Sequence, residues 1–527
     1  MKETEKIQVT LIEGEIKTLH WLKKGSSLFE LWSKREGAFF SGCGGKGLCG
    51  RCRVRFLKGT VLPGHGDRAV FTPEELRKGF RLACLSKPIR DCEIELHFPK
   101  EKQISVVTEV SSINKNKRGD AGELLVDHKE DTVIAIDLGT TTIAMELRGI
   151  MTNQVYDTFC EINPQRRYGA DIISRIQASN HSQEEKESLK RIVRNSLEKG
   201  ILQFLKTVEE EKLCKPKAAY LSGNTPMGQL FMGHSVEKLG RYPFLPENIG
   251  RQETSLLGIK TIVMPGISAF VGGDIASGLY YVWKQGGFCN EKATLFIDLG
   301  TNGEMAIGNG RKILVTATAA GPAFEGGSGE TIMGADLIAC LDELKKQGIL
   351  DETGLLKEPW FEEGVRIGEA VLRGKDVRAL QMAKAAVFAG ICILIDRFGQ
   401  QIEDIDKVYL AGGFGYYLNV KSAVAIGLIP SELAGKVTAV GNTSLAGAFL
   451  YGKDCIENAD EGKNEQENDG IERKNPMDEL EKLIERCGKL NLAEEEQFQK
   501  LYMKSMELKP LGYEETKKEL EQERETK

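Results

Sequence analysis

Two near copies of one short motif stand out in this chain of 527 residues. The first reads Ile134-Ala-Ile-Asp137-Leu-Gly139-Thr140-Thr141-Thr142, and the second reads Leu295-Phe-Ile-Asp298-Leu-Gly300-Thr301-Asn302-Gly303-Glu304. In each copy a short apolar run, typical of a buried strand, ends in an aspartate that is followed by glycine and hydroxyl residues. The copies lie about 160 residues apart, which is the distance expected between the halves of a duplicated domain.

The chemistry of these motifs is that of a nucleotide site. Backbone N–H groups and hydroxyls in a glycine-rich hairpin can bind phosphates. Carboxylate oxygens are ligands that Mg²⁺ prefers, and we expect Asp137 and Asp298 to hold this ion through water. A third segment, residues 408–415, is a predicted strand that ends in Gly412-Gly413, where missing side chains would let an adenosine lie against the backbone.

Two other nucleotide folds are excluded by their missing motifs. The chain contains no G-x-x-x-x-G-K-[ST] sequence, so it is not a P-loop enzyme. The Gly-x-Gly at residues 413–415 lacks the third glycine of a dinucleotide site.

In this order the three segments resemble the phosphate-1, phosphate-2 and adenosine motifs of the acetate and sugar kinase, Hsp70 and actin superfamily. The resemblance implies an α/β, duplicated, ribonuclease H-like ATPase domain over residues 131–452, with lobes at about 131–290 and 291–452. It also implies that two small-residue helices, at 272–279 and 383–391, cross between the lobes, although each alone is typical of ordinary close packing. From their place in that fold, Asp274 and Glu304 are candidates to position the attacking water.

A second constellation is a cysteine loop near the N-terminus. It reads Cys43-Gly-Gly-Lys-Gly-Leu-Cys49-Gly-Arg-Cys52, with Cys84 as a distant fourth cysteine. Clustered cysteines in a reducing compartment are typical of metal ligands, and four thiolates suit one iron–sulfur cluster. Zinc sites are the alternative, but they usually use paired C-x2-C units, which this spacing does not provide. Cys92, on a predicted strand, is expected to be a buried small apolar residue.

The loop resembles those of vertebrate-type and plant-type [2Fe–2S] ferredoxins and has the five-residue spacing of the former. The resemblance implies an α+β, β-grasp domain over residues 1–100. The sequence before the loop agrees, because Ile7, Val9 and Leu11 alternate with polar residues as in a hairpin strand, and Ser26 and Ser27 can cap a short helix.

The remaining segments are predicted from composition. Residues 101–130 are polar and indicate a linker, residues 453–475 a disordered insert, and residues 476–527 a helical extension. The net charge of −6 argues against a nucleic-acid surface. Residues 382–398 are apolar but carry Lys384 and Asp396, so we predict no membrane span and a cytoplasmic location.

The chain as a whole resembles the reductive activators of corrinoid proteins. The resemblance is carried by the cysteine loop and by the segments at 163–175, 222–227, 243–244, 271–274, 298–304 and 320–326. It implies ATP-dependent, one-electron reduction of Co(II) to methyl-accepting Co(I) in a corrinoid protein of a methyltransferase, demethylase or acetyl-CoA pathway system. It also implies a low-potential electron donor, such as a ferredoxin or flavin reductase, and a tendency to form homodimers.

Several alternatives stay open. The ATP-driven electron could go to another low-potential acceptor, as in the activators of 2-hydroxyacyl-CoA dehydratases, or the chain could be a nucleotide-binding redox sensor. Asn224 follows a predicted strand and could face the nucleotide or only form a turn. Asp171 and Arg175 are four residues apart on a predicted helix, where a surface ion pair is the simplest interpretation.

Overall fold

A computed structural model describes residues 5–14, 16–33, 52–97, 129–169, 171–300, 302–321, 324, 334–367, 370–464 and 475–518. The chain divides into two compact units. The first contains the described residues of Met1–Ile104 and of Pro164–Leu189, and the second contains the rest. Cys43, Cys49, Thr301 and most of the predicted linker therefore lie outside the described residues.

The N-terminal domain is built on a mixed five-stranded sheet in the order β2-β1-β5-β3-β4. A hairpin pairs β1 with β2, β1 runs parallel to β5, and β3 runs antiparallel to both β5 and β4. This is the β-grasp order, as predicted. The elements are β1 (Lys6–Glu13), β2 (Ile16–Lys23), α1 (Glu30–Ser33), β3 (Arg53–Lys58), α2 (His65–Val70), α3 (Pro73–Arg77), β4 (Phe80–Leu82) and β5 (Cys92–Leu96).

Alternation in the strands gives this sheet one buried face. Val9, Val54 and Ile94, on neighbouring strands, have no solvent exposure, because successive strand residues point to opposite faces and the apolar set points inward. The predicted hairpin, short helix and closing strand are therefore confirmed.

The second unit contains two six-stranded sheets. The first has the order β10-β11-β9-β6-β7-β8. Its strands are β6 (Thr132–Leu138), β7 (Thr142–Gly149), β8 (Val155–Ile162), β9 (Ala219–Gly223), β10 (Gln252–Leu256) and β11 (Ile259–Val263). The helices over the same stretch of chain are α4 (Ile172–His181), which belongs to the first unit, α5 (Gln183–Glu210), which begins in the first unit, and α6 (Thr225–Met232) and α7 (Gly273–Lys284) of the second unit.

The second sheet has the order β18-β17-β12-β13-β14-β19. Its strands are β12 (Ala293–Leu299), β13 (Gly303–Gly308), β14 (Ile313–Thr318), β17 (Ile405–Ala411), β18 (Val437–Gly441) and β19 (Cys487–Lys489), and a separate small hairpin pairs β15 (Val365–Ile367) with β16 (Ala370–Leu372). The helices are α8 (Gly334–Lys346), α9 (Trp360–Glu363), α10 (Gly374–Phe398), α11 (Gly412–Tyr417), α12 (Val420–Ala425), α13 (Thr443–Asn464), α14 (Pro476–Glu485) and α15 (Glu496–Lys504).

The two sheets share one plan, so the predicted duplication is confirmed. In the first, β6, β7 and β8 form an antiparallel meander while β9 and β11 are parallel to β6. In the second, β12, β13 and β14 form the meander while β17 and β18 are the parallel strands. The central strands β6 and β12 are buried along almost their whole length, which is typical of sheets covered on both faces.

The helix that packs against α7 is α13. A Cβ atom added at Gly447 of α13 would lie 1.9 Å from the carbonyl oxygen of Ser277 on α7, so the two backbones touch. The helix at residues 383–391 is part of α10, which packs on β13, β14 and α15 of the second sheet. Helix α10 thus shows the ordinary close packing that its small residues alone indicate.

The insert predicted at residues 453–475 is helical up to residue 464, where α13 ends. Asp454 anchors this stretch, because its carboxylate accepts a hydrogen bond from the Tyr280 hydroxyl at 2.6 Å and lies 2.9 Å from Lys284 Nζ. The disorder predicted for this stretch is therefore wrong up to residue 464, and residues 465–474 lie outside the described part.

The helical extension predicted at residues 476–527 is also corrected in part. Helices α14 and α15 are present, but β19 between them joins the second sheet as an edge strand parallel to β14. A three-residue strand is too short to show alternation, which is why the sequence did not reveal it.

One helix in the described part of the chain, α10, is long and apolar enough to cross a membrane, with 25 residues. Residues 382–398 are thus only part of a longer helix. Within its most apolar window 83% is buried inside the protein, and the Nζ of Lys384 donates a hydrogen bond to the Glu507 carbonyl. This helix is therefore a core element of the second sheet's lobe.

Candidate functional site

Two of the four predicted cluster ligands lie side by side in the N-terminal domain. Cys52 precedes β3 and Cys84 follows β4, and the pairing of these strands brings them together. Their Sγ atoms are 3.3 Å apart, too far for the ~2.05 Å bond of a disulfide, and both side chains are buried. The Ser27 hydroxyl donates to the Cys84 carbonyl at 2.9 Å, which fixes this turn.

A buried pair of thiols at this spacing fits an iron–sulfur cluster better than a structural core. The other two predicted ligands, Cys43 and Cys49, lie outside the described residues, so the complete set stays a prediction. Cys92 is buried on β5 as predicted, and burial raises the pKa of its thiol to about 11. A thiol so far from ionisation is a packing residue.

The first nucleotide motif forms a hairpin fixed by two asparagines. Asp137 is the next-to-last residue of β6, and the residues after it lead into β7. Asn163 Nδ2 donates to the Gly139 carbonyl at 2.7 Å, and its backbone N–H donates to the Thr141 carbonyl at 2.8 Å. Asn224 Nδ2 donates to Thr140 Oγ1 at 2.9 Å.

Asn224 confirms the turn interpretation that the sequence left open, and its role toward a nucleotide stays a prediction. Its Oδ1 accepts a hydrogen bond from the Met227 N–H at 3.0 Å, so it caps α6, while its amide group reaches the phosphate-type hairpin at Thr140. The structure brings it to the site as a buried residue with 8% exposure.

The second motif repeats this geometry between β12 and β13. Asp298 is directly opposite Glu304 in the strand register. The Gly300 N–H donates to the Asn302 carbonyl at 2.9 Å, and Asn302 Nδ2 donates to Glu304 Oε1 at 3.1 Å. Thr142 and Gly303 begin the second strands of the two hairpins.

The third motif lies directly against Asp298. Gly412 follows β17 with a φ of +86°, and a Cβ atom there would lie 2.6 Å from the Leu299 carbonyl oxygen and 2.7 Å from Asp298 Oδ1. Only glycine fits this position without strain. A Cβ atom at Gly413 would meet nothing within 4 Å, so there is open space beside that backbone.

Four carboxyl groups meet where the motifs converge. Burial raises the pKa of Asp274 to about 7 and of Asp298 to about 8, and it also raises the pKa of Asp137 and Glu304. Repulsion adds to this, because Asp274 and Asp137 disfavour ionisation of Asp298, and Asp274 and Asp298 disfavour ionisation of Glu304. A bound cation would offset the repulsion between these carboxylates.

The arrangement fits Mg²⁺ held through water. Within the parts of the chain that the structure describes, no three His, Cys, Asp or Glu side chains are arranged to hold a metal ion directly. Asp137, Asp274 and Asp298 are mostly buried but keep some solvent exposure, so a hydrated ion could reach them. The metal and catalytic roles of these residues stay predictions.

The sequence motifs do not reveal two residues that donate hydrogen bonds to Asp137. Asn442 Nδ2 donates to Asp137 Oδ2 at 2.8 Å, and the Ser444 hydroxyl donates to Asp137 Oδ1 at 2.8 Å. Both lie at the start of α13, where Asn-Thr-Ser before an apolar run is a helix-start signal. That signal locates a helix cap but not its partner 305 residues away.

The surface ion pair predicted for Asp171 and Arg175 is wrong. Asp171 caps α4, its carboxylate accepting from the Ser174 N–H at 2.7 Å. The Arg175 side chain has no solvent exposure, and its Nε donates to the Gly169 carbonyl at 3.0 Å. Asp171 therefore caps the helix instead of pairing with Arg175 on its surface.

Three family models cover most of the chain. The RACo middle region matches residues 132–283, and the C-terminal domain of RACo, the ASKHA domain, matches residues 292–336 and 328–518. The 2Fe-2S iron–sulfur cluster binding domain matches residues 25–88. The chain belongs to the RACo family. The resemblance to reductive activators and the two-part fold class are thereby confirmed.

Named relatives of this RACo protein agree. It is 28% identical over 384 residues to the corrinoid activation enzyme RamQ of Eubacterium limosum, an alignment that covers 60% of this chain and 63% of RamQ. It is 26% identical to the [Co(II) methylated amine-specific corrinoid protein] reductase of Methanosarcina barkeri, over 59% of this chain and 68% of that protein. The chain thus spans about three-fifths of RamQ.

A solved structure named as a reductive activator for corrinoid, iron-sulfur protein shares the fold of this RACo chain. The TM-score is 0.62 at 23% identity, and the match covers 95% of this chain and 98% of the other.

Proposed function

We propose that this RACo protein uses ATP to drive one electron onto the Co(II) centre of a corrinoid protein, giving the methyl-accepting Co(I) state. The client belongs to a methyltransferase, demethylase or acetyl-CoA pathway system. ATP and water become ADP and phosphate in the same cycle. The observation that carries the proposal is the presence, in one chain, of a [2Fe–2S] cluster-binding domain and both RACo regions.

The proposed residue roles combine the sequence motifs with the geometry of the described residues. Cys43, Cys49, Cys52 and Cys84 hold the cluster, which supplies one-electron transfer at low potential. Clusters of this type lie near about −400 mV, so an acceptor with a still lower potential needs an energy source. Hydrolysis of ATP provides it through a change of conformation.

At the nucleotide site we propose that Asp137 and Asp298 hold Mg²⁺ through water. The hairpins bind the phosphates, and Gly412 and Gly413 lie under the adenosine. Asp274 or Glu304 orients the attacking water, because a carboxylate whose pKa is raised by burial binds a proton more readily than an ordinary carboxylate. The phosphate-binding residues are Gly139, Thr140, Thr141, Thr142, Gly300, Thr301, Asn302 and Gly303.

The partners are proposed from the family. An external low-potential donor, a ferredoxin or a flavin reductase, reloads the N-terminal domain, and the protein works in the cytoplasm as a homodimer.

The test is an anaerobic visible spectrum of a Co(II) corrinoid protein from a methyltransferase system, mixed with this protein and dithionite. We expect the Co(I) band to form with Mg²⁺-ATP and not with Mg²⁺-ADP. The Cys84→Ser variant should hydrolyse ATP without forming Co(I), which separates the two halves of the cycle.

A contrary result would redirect the assignment. If several corrinoid proteins give no Co(I) although the cluster spectrum and ATP turnover are intact, the acceptor is another low-potential centre or the chain is a redox sensor.

A further inference from the structure

Asn442 makes two contacts with one side chain. It lies between β18 and α13 with 8% exposure. Its Oδ1 accepts from the Leu445 N–H at 2.9 Å and so caps α13, while its Nδ2 donates to Asp137 Oδ2 at 2.8 Å. An amide can do both because it carries an acceptor and a donor on one rigid group. The second contact joins the end of the second sheet to a carboxylate on the first.

Ser444 occupies the other oxygen of Asp137 and extends the contact into the core. Its hydroxyl lies 2.8 Å from Asp137 Oδ1 and 3.0 Å from Ser222 Oγ on β9. The Ser222 Oγ lies 3.0 Å from Ser277 Oγ on α7. Asp137 is therefore bonded to α13 through both oxygens, and α13 is bonded to β9 and α7 through a line of buried hydroxyls.

Helix α13 cannot slide along α7 without breaking this network. Gly447 is pressed against the Ser277 carbonyl, since even a Cβ atom there would be 1.9 Å from that oxygen. Helix α7 in turn begins at Gly273, next to Asp274. A shift of the second sheet at β18 must therefore move α13, and with it the carboxylate of Asp137.

We infer that Asn442 is a positioning residue that couples nucleotide binding at Asp137 to the arrangement of the two sheets. The inference rests on the proposed function only in taking ATP as the ligand. A ligand that moves the Asp137 carboxylate also moves Asn442. Through Asn442 it moves the junction of β18 and α13. In the reverse direction, the position of the second sheet determines the position of the Asp137 carboxylate during ATP hydrolysis.

The Asn442→Ser variant isolates this contact. Serine caps helices as well as asparagine does, so α13 keeps its cap, but the shorter side chain cannot reach Asp137. We expect kcat for ATP hydrolysis to fall about tenfold, the size of one lost hydrogen bond to a charged group, with KM for ATP within about twofold of the unchanged protein. Asn475→Ser, at the exposed cap of α14, is the matched control and should change neither.

A second readout does not depend on turnover. Hydrogen–deuterium exchange at the amides of residues 443–446 should slow when Mg²⁺-ADP binds to the unchanged protein. In Asn442→Ser that change should be absent, although calorimetry still shows binding of Mg²⁺-ADP. Ser444→Ala, which removes the other donor to Asp137 and leaves the cap intact, should weaken the exchange response in the same direction.

The outcomes separate this inference from the proposed function. Unchanged kcat and an unchanged exchange response in Asn442→Ser, with a thermal midpoint equal to that of the control, would overturn the coupling role. Failure of the unchanged protein to bind Mg²⁺-ADP would instead contradict the assignment of the nucleotide site.

Discussion

At the scale of single residues, the site depends on side chains whose environment changes their chemistry. The pairing of β3 with β4 brings Cys52 and Cys84 together. Cys92, on β5 of the same sheet, is buried in the core. Asp298 is flanked by other carboxyls and by the backbone of Gly412. Residues of the same type thus have different roles according to what surrounds them.

Replacing Cys84 with serine should abolish the [2Fe–2S] absorption and circular dichroism bands, because a hydroxyl is a poor substitute for a thiolate ligand. Cys92→Ala is the matched control, and it should keep the full spectrum at a cost of about 1 kcal/mol of stability for the small cavity. A normal spectrum in Cys84→Ser would remove Cys84 from the ligand set.

Asp298→Asn should reduce ATP turnover by at least a hundredfold, since it removes a charge from the proposed cation site while keeping the shape of the side chain. The cluster spectrum should stay unchanged. Asp406→Asn, an exposed residue on β17, is the control and should turn over ATP normally. Turnover in Asp298→Asn that matches this control would contradict the metal role.

At the scale of elements, the packing of α7 against α13 joins the two sheets. They pack through Gly447, and Asp454 in the middle of α13 contacts Tyr280 and Lys284 near the end of α7. Lys284 also lies 3.0 Å from Glu479 on α14. The stretch after residue 452 is therefore part of the packed domain.

Asp454→Ala should lower the free energy of unfolding by about 2 kcal/mol, because it removes the acceptor of the buried Tyr280 hydroxyl and one of the two carboxylates that Lys284 contacts. Glu457→Ala, one turn further along α13 with a side chain 44% exposed, should change it by less than about 0.5 kcal/mol. Denaturant unfolding of both variants is the measurement, and equal effects would mean that the helix after residue 452 is not packed in solution.

At the scale of the whole molecule, two sheets of one plan enclose ionisable groups that are costly to bury. Glu146 on β7 is 3% exposed, and burial raises the pKa of its carboxyl to about 7, against the opposing effect of Arg148 at 3.4 Å. The folded protein therefore holds a proton here that the unfolded chain releases at about pH 4.5. Between these values stability falls as pH rises.

Glu146→Gln should flatten this dependence. Over the range from pH 5 to 8, we expect the loss of unfolding free energy to shrink by roughly 3 kcal/mol relative to the unchanged protein. Urea unfolding at several pH values measures it, with Glu209→Gln, on the exposed face of α5, as the control that keeps the slope. An unchanged slope in Glu146→Gln would show that folding does not raise the pKa of this carboxyl.

Much of the fold and part of the site follow from patterns that are local in the chain. The strand-Asp-Gly hairpins were found at their observed places because an apolar run, a carboxylate and a glycine turn are neighbours in sequence. The same holds for the β1–β2 hairpin and for Cys52 beside β3. In each case the residues that define the feature in the sequence also form its hydrogen bonds or its turn.

The misplaced features are those that depend on distant partners. Small residues in α10 and α13 look alike in sequence, and only packing selects α13 as the neighbour of α7. A three-residue strand such as β19 exists because the edge of β14 offers hydrogen bonds to it. The bond from Asn442 to Asp137 joins residues 305 positions apart. Local propensity cannot encode such contacts, because their free energy is gained only when the two sheets have folded and met.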